Sequence, residues 1–312
     1  ACDYVRARGA ATGTRSMRLS GCITALVTPF RDGAIDFAAL AELVEFQIAH
    51  GVSGLVPCGS TGEAATLTHA EHAEVVRHVV RQARGRVPVI AGTGSNSTSE
   101  AIALTLAAKE AGADGALLIA PYYNKPTQEG IFQHYKAVAE NTRFPMILYN
   151  IPGRTACKIE AQTISRLCEL PQVVGLKDST GSLDEVQEVI RLCGDRLQVY
   201  SGDDSLSLPI LAVGGCGVIS VVSNLVPERC AELMEQALSG NWAKARELHY
   251  NLLPLVRALF WETNPIPVKA ALAMIGLCRE ELRLPLVPLS QTLREKLREV
   301  LRSQGLKVQS AA

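Results

Sequence analysis

The sequence predicts an α/β protein folded as a single (β/α)₈ TIM barrel with a C-terminal helical subdomain. Three observations predict it. Eight short apolar runs recur along the chain, at 22–27, 54–58, 88–92, 115–120, 145–150, 173–177, 197–201 and 217–222. Nearly all are apolar at every position, the pattern of parallel strands covered on both faces rather than strands with one wet face. A loop rich in Gly, Ser, Thr or Asn follows each run, then a helical stretch, and eight such units in about 220 residues are what this barrel requires. A doubly wound open sheet is the competing architecture. It usually has fewer strands and often a phosphate-binding loop, and the sequence offers neither.

The elements follow in order. Residues 1–16 read as a leader or disordered remnant, with Met17 as the native start. Leu19-Ser20-Gly21-Cys22 superficially matches a lipoprotein cleavage box. It follows Arg6, Arg8, Arg15 and Arg18 where an apolar stretch is needed, so it is rejected. The barrel is assigned to 17–240. Asp36 is placed to cap a helix over 37–50 that Gly51 stops. Thr68-x-x-Glu71, Ser97-x-x-Glu100 and Ser182-x-x-Glu185 all have the spacing of a capping box, in which two helix-end groups satisfy each other's backbone N–H. The alternation stops near Gly240. Residues 241–312 read as helix upon helix, broken by Pro265, Pro267, Pro285 and Pro288.

Composition excludes several functions. Hydrophobic residues make up 47% of the 312 and aromatics 5%, which points to an aliphatic core. With 31 basic and 31 acidic residues, there is no electrostatic case for nucleic acid or an anionic membrane as main partner. The longest uncharged run, 206–224, is interrupted by Pro209, Gly214, Gly215 and Gly217, so no segment spans a membrane. Nine cysteines contain no CxxC pair; they read as apolar fillers in a reducing cytoplasm, not as disulfides or metal ligands. His69, His72 and His78 lack partnering ligands and read as a solvated helix face, so no metal is expected. The stretch 92–97 begins like a dinucleotide fingerprint but lacks the third glycine and the acidic partner.

In this architecture chemistry sits at the C-terminal ends of the strands. The second run ends in Gly59-Ser60-Thr61-Gly62-Glu63, the fourth in Tyr122-Tyr123-Asn124, the fifth in Tyr149-Asn150 before Gly153-Arg154, and the sixth in Lys177-Asp178. Lys177 is the most informative. Burial disfavours the charged form of an amine, and a neutral amine attacks a ketone to form an iminium that serves as an electron sink. The competing reading is a buried ion pair with Asp178. Tyr149 suits a proton shuttle, or a packed ring. The loop 59–63 offers backbone N–H groups and two hydroxyls for a small carboxylate, or is a turn needing glycine. Arg154 suits a bidentate carboxylate fork, or is a solvated cation.

Taken together, these segments resemble the dihydrodipicolinate synthase and N-acetylneuraminate lyase family of pyruvate-dependent aldolases. The resemblance runs from about residue 20 to residue 305. It includes GSTGE at 59–63, AGTG at 91–94, PYYNKP at 121–126, YNIPGRT at 149–155, GLKDST at 175–180, SGDD at 201–204, GVISV at 217–221 and NPIPVK at 264–269. It implies that Lys177 forms an imine with pyruvate, without a separate cofactor. It implies a proton relay of Ser60, Tyr149 and Tyr123, the last reaching in from a neighbouring subunit. Thr61 is implied to bind the pyruvate carboxylate and Arg154 that of L-aspartate 4-semialdehyde, with Gly202 and Ile219 lining the pyruvate pocket. The product implied is 4-hydroxy-tetrahydrodipicolinate, on the route to diaminopimelate and lysine. A homotetramer built as a dimer of dimers is implied as well.

The resemblance also implies a feedback site for L-lysine at Ala64, Ala65, His69, His72, Asn96, Glu100 and Tyr122. Ser60 departs from the synthase pattern, which usually has Thr, Asp178 stands where Glu is frequent, and Ala64 replaces a frequent Ser. Two alternatives are carried forward. One is a pyruvate aldolase acting on N-acetylneuraminate, a keto-deoxy sugar acid or 4-hydroxy-2-oxoglutarate, from which Arg154 argues away. The other is a catalytically silent barrel that binds an amino acid.

Overall fold

The protein is described by a computed structural model covering residues 17–309. The expected leader at 1–16 and the last three residues of the helical subdomain lie outside the described residues. All eight apolar runs form strands: β1 Gly21–Ala25, β2 Gly54–Val56, β3 Ile90–Gly92, β4 Gly115–Ile119, β5 Met146–Asn150, β6 Val173–Asp178, β7 Gln198–Ser201 and β8 Gly217–Ser220. All pair in parallel, in the order β2-β1-β8-β7-β6-β5-β4-β3. The ring closes between β2 and β3 through a parallel bridge of Leu55 with Val89, where Leu55 N donates to Pro88 O at 3.0 Å. The strands stop up to two residues short of several apolar runs, because the last residues of those runs already turn into the loops.

Among the described residues there are twelve α-helices: α1 Phe37–Ala49, α2 His69–Ala83, α3 Thr98–Glu110, α4 Gln128–Thr142, α5 Pro152–Thr155, α6 Ala161–Leu167, α7 Leu183–Cys193, α8 Ser207–Ala212, α9 Pro227–Leu238, α10 Trp242–Ala258, α11 Ile266–Met274 and α12 Gln291–Ser303. Alternate strand residues explain why both strand faces are apolar. Ile23, Val56, Ile90, Leu117, Ile147, Tyr149, Tyr200 and Ile219 fill the barrel interior. Their neighbours Leu118, Leu148, Leu176 and Val199 pack outward against the helices. The last strand, α9 and the helices after it share another core, with Val218, Leu233, Leu252, Ala271 and Leu297 in one cluster.

Some local expectations hold and others are corrected. Asp36 caps α1, accepting from Ala39 N at 3.1 Å. Thr68 and Glu71 form a reciprocal capping box. Ser97 and Ser182 cap in one direction only, because Glu100 turns to Ser95 and His69 and Glu185 turns to Lys158. The solvated histidine face fails for two of its three members. His72 is buried and its Nε2 bonds Gly92 O at 2.7 Å, and His78 stacks on Phe37; only His69 is exposed. Pro267 does not break a helix, since it sits in the first turn of α11, where no intrahelical N–H partner is lost. A small ribbon, Phe30–Arg31 with Ala34–Ile35, was not expected. Its Asp32-Gly33 turn has φ of 54° and 83°, the mirror-image geometry that an Asp-Gly pair favours. The eight described cysteines are free and at least partly buried, as fillers should be.

The helical segment is locked to the barrel by a buried ion pair. Lys269 Nζ lies 2.6 Å from Glu63 Oε1, with both side chains essentially inaccessible. Lys269 Nζ also donates to Thr28 O at 2.9 Å and sits 4.2 Å from the Phe30 ring centroid. Arg283 braces the other side: its N–H donates to Glu63 Oε2 at 3.2 Å, and its guanidinium forks onto Glu71 at 2.6 and 2.9 Å. Burial pushes the Lys269 amine down and the Glu63 charge opposes that shift. Removing one member of such a pair strands the other in a dry interior, a cost of about 3–5 kcal/mol. Lys269→Met should therefore lower the unfolding free energy by that order in chemical denaturation, and adding Glu63→Gln should recover part of the loss. A single variant as stable as the parent would show the pair to be dispensable.

Candidate active site

The barrel register sets the centre of the site. Tyr149 on β5 pairs with Lys177 on β6, and Lys177 pairs with Tyr200 on β7, so three inward-facing residues share one layer. Lys177 is 5% exposed and its Nζ stands 4.2 Å from the Tyr149 ring centroid. Among the described residues no carboxylate lies within the 4.0 Å of an ion pair with this amine. The expected competitor, Asp178, faces the other way, as alternation along a strand demands. It accepts from Thr180 N at 3.0 Å and Thr180 Oγ1 at 2.8 Å, and burial pushes its carboxyl above the usual range. The ion-pair reading of Lys177 is thus not realised.

Gly202 leaves room for the lysine. Its N–H donates to Asp178 O at 2.6 Å, which draws the two loops together. A Cβ at Gly202 would come within 2.8 Å of Lys177 Cε and 3.0 Å of Asp178 O, and nearer still to Ser179 Oγ. Ile219, fully buried, packs in the barrel interior in the same cluster as Tyr149 and Tyr200.

The loop 59–63 forms the next part of the rim. Glu63 adopts a left-handed conformation, φ 53°, held by Lys269 and Arg283. Thr28 Oγ1 donates to Gly62 O at 2.7 Å, and a Cβ on Gly62 would meet Leu26 O and Cys58 N at 3.1 Å. Thr61 is buried, and its Oγ1 accepts from Asn264 Nδ2 at 2.9 Å. Arg154, on the short helix α5, is exposed but tethered: its Nη2 donates to Asn264 O at 2.8 Å. The glycines of 92–94 serve close packing, not a nucleotide. A Cβ on Gly92 would press into the Cys58 backbone, and one on Gly94 would lie 2.9 Å from Ile119 Cγ2.

A cavity of about 250 Å³ opens beside this centre. Ser60 and Tyr149 line it together with Ala64, Ala65, His69, His72, Glu100 and Tyr122. Asn96 joins the same edge by donating from Nδ2 to Tyr122 O at 3.1 Å. Glu100 is engaged by Ser95 and by His69 Nε2 at 2.8 Å, and these bonds hold its carboxyl below the usual range. Burial pushes His72 below the ordinary imidazole value, so it donates to Gly92 O as the neutral ring. Tyr123 does not join Ser60 and Tyr149 within one chain. It is 87% exposed at the tip of its loop, with φ of 71°. No cluster of three or more His, Cys, Asp or Glu residues able to hold a metal occurs among the described residues.

Three contributors were missed from sequence. Asn264 and Lys269 belong to NPIPVK, far along the chain from the loop they brace, so no local spacing links them. Asp204 is buried and accepts from Val221 N at 2.9 Å and Val222 N at 3.1 Å, anchoring the end of β8. In the sequence it appears only as the last residue of SGDD, with no role attached.

A closed (β/α)₈ ring whose mouth presents a buried, unpaired lysine beside a tyrosine defines the class of lysine-imine aldolases. The chain belongs to the dihydrodipicolinate synthetase family, whose model matches residues 18–304. It is 54% identical to the 4-hydroxy-tetrahydrodipicolinate synthase of Nitratidesulfovibrio vulgaris strain DP4, over 93% of this chain and all of the relative. The chloride-inhibited dihydrodipicolinate synthase from Acinetobacter baumannii, complexed with pyruvate, superposes with a TM-score of 0.92 at 46% identity, covering 93% of this chain and all of that one. The synthase from Cyanidioschyzon merolae with lysine bound superposes with a TM-score of 0.90 at 40% identity, covering 93% and 99%.

The fit at Gly202 gives a direct test. Gly202→Ala should abolish reductive trapping of an α-keto acid on the protein while leaving the circular dichroism spectrum intact, because the new methyl group displaces the Lys177 stem. Undiminished trapping would remove Gly202 from the site.

Proposed function

We propose that Lys177 captures pyruvate as an imine and that the enamine derived from it adds to the aldehyde of L-aspartate 4-semialdehyde. The observation that carries this is the buried Lys177 amine, without a counter-ion and 4.2 Å from the Tyr149 ring. Attack by the neutral amine on the keto carbon and loss of water give the iminium. A methyl proton is then lost and the electron pair moves into the iminium, giving the enamine. The enamine carbon bonds the aldehyde carbon, whose oxygen takes up a proton. The amino group of the semialdehyde then displaces Lys177 by transimination, closing the ring of 4-hydroxy-tetrahydrodipicolinate and freeing the enzyme. The imine is the electron sink, so the scheme calls for no separate cofactor.

Tyr149 and Ser60 are assigned to the proton relay, with Tyr123 of a second copy completing it. The exposure of Tyr123 supports that assignment, since its ring has no place in its own barrel. Thr61 is assigned to the pyruvate carboxylate, Arg154 to the carboxylate of the semialdehyde, and Gly202 and Ile219 to the pocket wall. The retained hydroxyl of Ser60 supports the relay despite the departure from Thr. A homotetramer assembled as a dimer of dimers, working in the cytoplasm, fits these roles. Among the described residues no helix is long and apolar enough to cross a membrane. The barrel at 17–240 is assigned to catalysis and 241–312 to its support.

The test is direct. Pyruvate with borohydride should add one reduced adduct to the protein, and Lys177→Ala should prevent it. An adduct surviving that substitution would defeat the nucleophile assignment. A coupled assay should show turnover with L-aspartate 4-semialdehyde and none with N-acetylneuraminate; the reverse preference would move the enzyme to the lyase branch.

The same cavity supports a second role, as a site for L-lysine. Glu100 offers a carboxylate to an ammonium, and the lysine-bound relative lends the reading support. Calorimetric titration should show lysine binding at millimolar concentration or below, and Glu100→Ala should abolish it. A flat titration of the parent enzyme would remove the feedback reading.

A further inference from the structure

GSTGE and NPIPVK, some two hundred residues apart in sequence, meet at two points. One is the Lys269–Glu63 pair described above. The other is a polar contact within the site: Asn264 Nδ2 donates to Thr61 Oγ1 at 2.9 Å, while Asn264 O accepts from Arg154 Nη2 at 2.8 Å. One residue thus touches both side chains assigned to carboxylates, through its side chain on one and its main chain on the other. Asn264 is 6% exposed, and its Oδ1 is buried without a partner. A buried amide oxygen left unpaired is costly.

We infer that Asn264 is a positioning residue that fixes the direction of the Thr61 hydroxyl, so that its hydrogen points to the keto acid carboxylate. A hydroxyl has one hydrogen to donate and two lone pairs to accept with. By accepting from Asn264 Nδ2, Thr61 leaves its own hydrogen uncommitted, and among the described residues Thr61 Oγ1 has no other hydrogen-bond partner. The chain of donation runs from amide to hydroxyl to carboxylate, each bond polarising the next. This orientation leaves Asn264 Oδ1 without a donor. The Arg154 contact uses the main-chain carbonyl and survives any substitution at this position. The side chain and the main chain of Asn264 therefore serve different substrates. This rests on the reading that Thr61 binds the pyruvate carboxylate.

The experiment is a double-substitution cycle on the full-length enzyme, with steady-state kinetics for both substrates. Thr61→Val should raise the KM for pyruvate; if it does not, the Thr61 reading falls and this inference with it. With Thr61→Val raised, Asn264→Ala should raise the pyruvate KM about 5- to 10-fold, the order expected for losing one hydrogen bond. The KM for the semialdehyde should stay within about twofold, because the Arg154 contact is retained. Combining Asn264→Ala with Thr61→Val should be no worse than Thr61→Val alone. Borohydride trapping at saturating pyruvate should still label Asn264→Ala fully, which shows that the variant is folded. Asn264→Asp should raise the pyruvate KM as well, because its carboxylate takes the Thr61 hydrogen and sets a negative charge beside the keto acid. An unchanged pyruvate KM in Asn264→Ala, an equal rise for both substrates, additive effects in the double variant, or a normal pyruvate KM in Asn264→Asp would each overturn the inference while leaving the Thr61 reading in place.

Discussion

The site depends on one buried ion pair. Lys269 Nζ and Glu63 Oε1 meet at 2.6 Å where water does not reach, and the pair joins the last third of the chain to the loop after the second strand. Glu63 occupies a left-handed backbone conformation that non-glycine residues seldom adopt, and it is held there from both sides. That conformation turns the loop and sets Ser60 and Thr61 at the barrel mouth. The arrangement is costly in isolation, because two charges give up their hydration to make it. The carbonyl of Thr28, the face of Phe30 and the N–H of Arg283 offset that cost by satisfying what remains of each charge.

The second constraint is close approach of backbone. Gly92 and Gly94 let the third strand press against the second and fourth, and Gly202 lets the turn after β7 close over Lys177. These contacts narrow the barrel at its C-terminal end, so that Lys177, Tyr149 and Tyr200 share one crowded layer. In that layer the lysine amine lies against an aromatic face rather than a carboxylate. The same packing leaves an open volume beside Ser60 and Tyr149 that Glu100 also lines.

Much of this was legible in the sequence, for identifiable reasons. The eight strands announced themselves because a strand buried on both faces has no freedom to be polar. Asp36 and Thr68 announced their helices because caps are local hydrogen bonds between residues a few positions apart. Lys177 stood out because a lysine at the end of an apolar run is unusual. Other features were misread because their cause is not local. Glu100 and Glu185 have capping-box spacing, yet better partners from other helices claimed them. His72 shares a helix with His69 but faces β3, which only the packing of α2 on the barrel determines. Tyr123 could be named as a site residue, yet its exposure in a single chain follows from the strained loop that carries it.

The sequence by itself determined the barrel and the order of its elements, and it offered Lys177 as the candidate amine, because periodicity, capping and residue type act over short spans of chain. Only the tertiary structure decided which groups meet. It gave Glu63 to Lys269 and Thr61 to Asn264, and it denied Asp178 to Lys177. The first two contacts join residues about two hundred positions apart, through the closure of a ring. The third turns on which face of one strand each side chain takes. Neither long-range contact is encoded by spacing, because what places each partner is the packing of helices that fold against the barrel from elsewhere in the chain.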